Sequence, residues 1–175
     1  MNLLVCISKT PDTTSKIAFD DSGKKLLEDG VQFILNPYDE WYALVRAIEL
    51  KEQFGGQVDV IHVGEASSEM IIRKALAIGA DAAFRVDMIP AGSWDTASQI
   101  AAFAKTRNYD LILLGKETID YNGSEVGSML AGILDLPYIA YATKLTIDGQ
   151  IATLESEIEG GIALSEVHIP MVLSC

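Results

Sequence analysis

The stretch best equipped for chemistry is Gly115-Lys116-Glu117-Thr118-Ile119-Asp120-Tyr121-Asn122-Gly123-Ser124-Glu125-Val126-Gly127. It leaves the apolar run 111–114 and enters a segment with helical patterning, so it lies where a strand hands over to a helix. In open α/β sheets, ligands gather at the carboxyl ends of strands. Gly115 would let the backbone approach a ligand, Gly123 would permit a positive φ, and the N–H groups around an N-capping Ser124 suit a phosphate. A second loop, Leu35-Asn36-Pro37-Tyr38-Asp39, has the same character. Asn36 reads as an N-cap, Pro37 as the first helical residue, and Asp39 as a carboxylate at the positive helix end. Asp39 and Asp120 are of the type that binds ribose hydroxyls in dinucleotide folds. Each loop also has a plainer reading, as a capped strand-to-helix connection.

Signatures of the common catalytic folds are missing. There is no GxSxG, HExxH or GxxxxGK[ST], and Ser8-Lys9-Thr10-Pro11-Asp12 follows the first strand where a GxGxxG would stand. His62 and His168 each fall inside an expected strand with apolar neighbours, the setting of a packed or edge residue rather than a base. Cys6 and Cys175 lie at opposite ends of the chain without CxxC or zinc-ligand spacing, so neither a disulfide framework nor a metal site is indicated.

The elements that must position the two loops alternate. Strands are expected over 3–8, 33–35, 58–63, 82–86 and 111–114, and helices from Asn36 to a stop at Gly55-Gly56, over 67–78, 95–106 and 124–134. In the first helix Trp41, Leu44, Val45 and Ile48 fall at i, i+3, i+4 and i+7 and predict one buried stripe. Ala75-Leu76-Ala77-Ile78-Gly79 reads as a helix closed by glycine. This alternation predicts an α/β fold: a mostly parallel, Rossmann-like sheet with helices on both faces, in a single domain over 1–175. Near the C-terminus the pattern changes to antiparallel strands, with a type I′ hairpin at Asp148-Gly149 and another strand pair around Gly160-Gly161. The last strand stops abruptly, so an uncovered sheet edge and a tendency to self-associate are expected there.

The chain has 175 residues, 49% hydrophobic, with a mean hydropathy of +0.23. That suits a globular domain rather than a disordered chain. A net charge of −12 makes nucleic acid and anionic membrane surfaces poor partners, although backbone N–H groups can still hold a single phosphate. The apolar stretch Leu3-Leu4-Val5-Cys6-Ile7 is too short to span a bilayer and lacks a basic leader, which predicts a soluble intracellular protein.

Taken together, Ser8-Lys9-Thr10-Pro11-Asp12, Asn36-Pro37-Tyr38-Asp39, Arg73-Lys74-Ala75-Leu76-Ala77-Ile78-Gly79-Ala80-Asp81, the run 110–127 and Glu157-Ile158-Glu159-Gly160-Gly161 before Ile169-Pro170 resemble the beta subunit of electron transfer flavoprotein. The resemblance covers essentially the whole chain. It implies the adenine-nucleotide-binding α/β fold shared with universal stress proteins, in an electron carrier without a catalytic site of its own. The partner would be an alpha subunit holding the redox-active FAD, with this subunit binding AMP as a structural nucleotide. Electrons would pass from acyl-CoA dehydrogenases and similar flavoenzymes to a quinone reductase, in the cytoplasm of a bacterium or the matrix of a mitochondrion. Carried over by motif, the AMP pocket would comprise Cys6, Asn36, Pro37, Tyr38, Asp39, Val63 and every residue from Gly115 to Val126.

Some positions depart from the family pattern. Members continue past the position of Cys175 into a loop that docks dehydrogenases and an arm that clasps the alpha subunit, so the resemblance implies that this chain lacks that segment. Ser156 stands where a basic residue is usual, and Ala163 where Glu is frequent. Asp39 replaces a Cys found in some AMP-binding members, and Asp is common there in electron-bifurcating members, whose beta subunit holds a second FAD. Position 39 therefore leaves AMP and a second FAD both open. A stand-alone module of the universal-stress type is a further alternative, but its glycine pattern G-x2-G-x9-G-[ST] is not reproduced by Gly115, Gly123 and Gly127.

Overall fold

Residues 3–6 are at most 5% exposed, which explains their unbroken apolar run: β1 (Asn2–Cys6) lies inside a sheet covered on both faces. The computed structural model describes residues 1–37 and 39–175. After β1 the chain runs through β2 (Lys9–Pro11), β3 (Phe33–Leu35), α1 (Asp39–Phe54), β4 (Gln57–Val63), a 3-10 turn (Ala66–Ser68), α2 (Glu69–Ile78), β5 (Ala82–Val86), α3 (Ser93–Ala104) and β6 (Leu111–Leu114). It continues with α4 (Val126–Leu134), β7 (Tyr138–Ile139), β8 (Ala142–Asp148), β9 (Ile151–Ile158), β10 (Gly161–His168) and β11 (Met171–Ser174).

Six strands pair in parallel in the order β5-β4-β1-β6-β11-β7. The chain winds outward from β1 through β4 to β5, then returns to the other side of β1 as β6. Its winding therefore reverses between β1 and β6, the place where such sheets open a crevice. Alternate residues of β1 feed two separate cores. Leu3 and Val5 pack with Leu44 and Leu50 of α1 and Ile71 of α2, while Leu4 and Cys6 pack with Ile100 of α3 and Leu130 of α4. Helices thus cover both faces, as the alternation predicted. β8, β9 and β10 form an antiparallel meander that packs on the α1 side through Leu145, Ala152 and Leu154. No helix among the described residues is long and apolar enough to cross a membrane.

Several local expectations are corrected. The deep face of α1 is Glu40, Ala43, Leu44, Ala47 and Leu50, not the stripe of Trp41, Leu44, Val45 and Ile48. Small alanines let the helix axis approach the sheet, leaving Trp41 and Ile48 packed at the margin. α1 begins at Asp39 rather than directly after Asn36, whose side chain is used by another loop. The meander turn falls on Gly149-Gln150, one residue later than expected, because Asp148 pairs with Ile151. Of the two turn residues only Gly149 has a positive φ (58°), the pattern of a type II′ rather than a type I′ turn. The final strand, β11, is not an uncovered edge. It inserts between β6 and β7, so the edges of the parallel sheet are β5 and β7.

Candidate functional site

A cavity of about 400 Å³ opens at the carboxyl ends of β1, β4 and β6, where the winding reverses. Cys6, Val63, Ile100 and Leu114 give it an apolar wall. The opposite side is polar and comes from the segment after β1 (8–10), the first turn of α1, and the long connection from β6 to α4. This arrangement can bury a flat apolar group against the strand ends while holding a polar or anionic group on backbone N–H donors.

Glu40 is the buried acid of the site, 5% exposed. Its carboxylate accepts the Ser8 N–H at 2.7 Å and the Ser8 hydroxyl at 2.6 Å, which fixes the segment after β1. Burial pushes its pKa up to about 7 against the pull of the two Ser8 hydrogen bonds, and the carboxylates of Asp39 and Asp120 add to the rise. The Cys6 thiol is pushed far up by burial and then by Glu40, so it stays protonated and unreactive. His62 Nδ1 lies 2.9 Å from Ile7 O, a carbonyl that can only accept, so the ring proton sits on Nδ1. Its Nε2 is a buried acceptor without a partner among the described residues, and burial lowers its pKa, keeping the ring neutral. His168, at the exposed outer face of β10, is far from this chemistry in sequence and takes no part in the cavity wall.

The β6–α4 connection is held from behind and from within. A Cβ on Gly115 would lie 2.9 Å from both Asp39 Cβ and Glu40 Cγ, so glycine is what lets this segment close on α1. Asn36 Nδ2 donates to Glu117 O at 2.7 Å, and the Glu117 N–H donates to Asp39 Oδ2 at 3.1 Å. Within the loop, the Glu117 carboxylate accepts from Asn122 Nδ2 at 2.9 Å and Ser124 Oγ at 3.3 Å. The positive φ expected at Gly123 falls instead on Asn122 (50°) and Ser124 (52°). Ser124 therefore does not cap the helix. α4 starts at Val126 after Glu125, which makes no side-chain cap hydrogen bond, so the first N–H groups of the helix carry no side-chain cap at the cavity wall.

Of the residues singled out from sequence, Cys6, Val63 and residues 115–126 other than Ile119 and Asn122 line the cavity. Asn36, Pro37 and Asp39 do not reach its wall; Asn36 Nδ2 and Asp39 Oδ2 turn to the peptide groups of Glu117 instead. Tyr38 lies outside the described residues. Sequence reasoning missed Ser8, Lys9 and Thr10 after β1, Glu40, and the segment 90–93 that leads from β5 into α3. The same strand-end rule that singled out Gly115 would have found the segments after β1 and β5. Charge in the cavity is mixed: Lys9 and Lys116 face Glu40, Glu117, Asp120 and Glu125.

A family model described as the electron transfer flavoprotein domain matches residues 24–175. The electron transfer flavoprotein subunit beta of Thermoanaerobacterium thermosaccharolyticum is 36% identical over 99% of this chain and 67% of its own length. The human subunit of that name is 33% identical over 99% of this chain and 70% of its own. The caffeyl-CoA reductase-Etf complex subunit CarD of Acetobacterium woodii is 32% identical over 100% of this chain and 68% of its own. With likeness of this extent over essentially the whole chain, the chain belongs to the electron transfer flavoprotein family, among its beta subunits.

Proposed function

We propose that this chain serves electron transfer as the nucleotide-holding partner of an alpha subunit that carries the redox-active FAD, and that it binds AMP in the cavity at the winding reversal. The flavin supplies the electron chemistry, and this chain contributes binding and orientation. Electron donors would be acyl-CoA dehydrogenases and similar flavoenzymes, and the acceptor a quinone reductase. A relative named as part of a caffeyl-CoA reductase complex supports partners that act on acyl-CoA compounds.

The observation that carries the nucleotide reading is the pairing, in one cavity, of an apolar wall at the strand ends with a helix N-terminus free of any side-chain cap. In this reading Cys6, Val63 and Leu114 bury the adenine, and the N–H groups of Val126 and Gly127 receive the phosphate. Glu40 orders Ser8 through its two hydrogen bonds and so shapes the rim next to the nucleoside. A second FAD in this cavity, as in electron-bifurcating members, is the alternative that Asp39 leaves open. A volume of about 400 Å³ suits the adenosine monophosphate moiety that AMP and FAD share.

The test is co-purification with the alpha subunit, followed by acid release and counting of every nucleotide. One FAD and one AMP per heterodimer is the expected result. Two FAD and no AMP would transfer the cavity to the bifurcating reading, and no adenine nucleotide beyond the partner's FAD would remove both.

A further inference from the structure

The β6–α4 connection carries five side-chain donors, on Lys116, Thr118, Tyr121, Asn122 and Ser124, and three of them share one partner: the Lys116 ammonium and the Ser124 hydroxyl at the cavity wall, and the Asn122 amide behind it. All three converge on a single internal acceptor. Asn122 Nδ2 lies 2.9 Å and Lys116 Nζ 3.8 Å from Glu117 Oε1, and Ser124 Oγ lies 3.3 Å from Glu117 Oε2. The carboxylate is also well placed rather than swinging free. Its main chain is fixed on both sides by Asn36 and Asp39, and its side chain is only 28% exposed. An ammonium, an amide N–H and a hydroxyl around one anion form the donor set that phosphate groups use. Here that set is already satisfied by a charge belonging to the chain, bonded to Ser124 shortly before α4 begins at Val126.

We propose that Glu117 is a specificity-determining residue of the nucleotide cavity: an internal anion that occupies two of the cavity's donors, Lys116 and Ser124, and competes with the phosphate of the ligand. The inference rests on the nucleotide reading of the cavity and sharpens it. With Glu117 in place, Lys116 and Ser124 contribute little to holding a phosphate, which is left to the backbone N–H groups at the start of α4. A phosphate that approaches these donors must displace the carboxylate or share them with it, and two like charges at that range repel. The neutral glutamine keeps the length of the side chain and an acceptor oxygen while removing the charge.

The experiment is titration calorimetry of the alpha–beta complex, stripped of exchangeable nucleotide, with AMP and with adenosine, in the wild type, Glu117→Gln and Glu117→Asp. Glu117→Gln should tighten AMP about tenfold relative to adenosine, the order expected for relief of one like-charge contact. Adenosine, which lacks only the phosphate, is the reference for each variant, so the readout is the ratio of AMP to adenosine affinity. Glu117→Asp keeps the charge and should retain the wild-type ratio of AMP to adenosine affinity. Inorganic phosphate should compete with AMP better in Glu117→Gln than in the wild type. Equal changes for AMP and adenosine, or weaker AMP binding in Glu117→Gln, would show a loop staple and overturn the proposal while leaving the nucleotide reading intact. If neither ligand binds any of the three proteins, the nucleotide reading itself falls and the proposal with it.

Discussion

At the amino ends of the parallel strands, polar groups are paired off. Tyr109 Oη donates to Asp59 Oδ2 at 2.6 Å, Asp81 Oδ2 accepts the Val58 N–H at 2.8 Å, and Asp110 Oδ2 accepts the Asn2 N–H at 2.7 Å. The carboxyl ends are treated differently. Asn36 Oδ1 and His62 Nε2, the two buried side-chain atoms without a partner among the described residues, both lie on this side. So do a carboxyl pushed up to about 7 and an uncapped helix start. Unpaired buried groups cost stability and are kept at few places in a fold. The amino end ties the strands together, whereas at the carboxyl end His62 leaves an acceptor open at the cavity wall.

Substitutions at the two ends should therefore separate binding from stability. The largest effect is expected from Gly115→Val, whose branched side chain must force the loop away from Asp39 and Glu40. Nucleotide affinity should fall by about a hundredfold or more, because a displacement near 1 Å at a binding loop costs that order. Calorimetry with AMP and thermal melting by circular dichroism read the two properties side by side, and a melt that collapses together with binding would break the distinction.

Glu40→Gln sharpens it from the other direction. Glu40 titrates near 7 in the folded chain against 4.5 as a free side chain, so between these values the folded chain binds a proton that the unfolded chain has lost. Its contribution to stability is greatest at the acid side of this window and is lost as pH rises towards 7. The wild type should lose up to about 3 kcal/mol relative to Glu40→Gln between pH 4.5 and 7, with no further divergence above. Denaturant midpoints of both proteins across this range check it, and parallel profiles would contradict it.

The smallest of the three lies at the amino end. Asp59→Ala strands the Tyr109 hydroxyl and removes the acceptor of Gln57 Nε2, which bonds Asp59 Oδ1 at 2.6 Å. A loss of about 2 kcal/mol in folding stability is expected from the unpaired hydroxyl, with nucleotide affinity unchanged. A change in affinity of more than about twofold would mean that the two ends are coupled through β4, contrary to the independence expected of distant sites.

Much of the frame was legible before any coordinates. The run 111–114 reads as a strand with the bounds it has, because a central parallel strand is apolar along its whole length, and the half-buried edge strand 82–86 keeps its expected bounds although it carries Arg85. The loop after β6 stood out for its length and its glycines, and the rule of ligands at carboxyl strand ends placed it at the cavity. The buried face of α1 was misread because large side chains dominate a periodicity count, whereas Ala43 and Ala47 are buried by virtue of being small. Left-handed backbone was assigned to Gly123 on residue type, but Asn122 and Ser124 adopt it because Glu117 holds their side chains. Glu40 could not be seen as part of a site, since its partner Ser8 is 32 residues away.

The sequence by itself determined the alternation of strand and helix, the parallel sheet that follows from it, the end at which a ligand would sit, and the family. These follow from local patterning and from motifs read in order along the chain. Only the tertiary structure decided that β11 enters between β6 and β7, that Asn36 and Asp39 brace a loop instead of lining the cavity, and that one carboxylate gathers three donors of the β6–α4 connection. Those outcomes depend on which distant segments come together, and contacts of that kind arise from packing of the whole chain rather than from local preference.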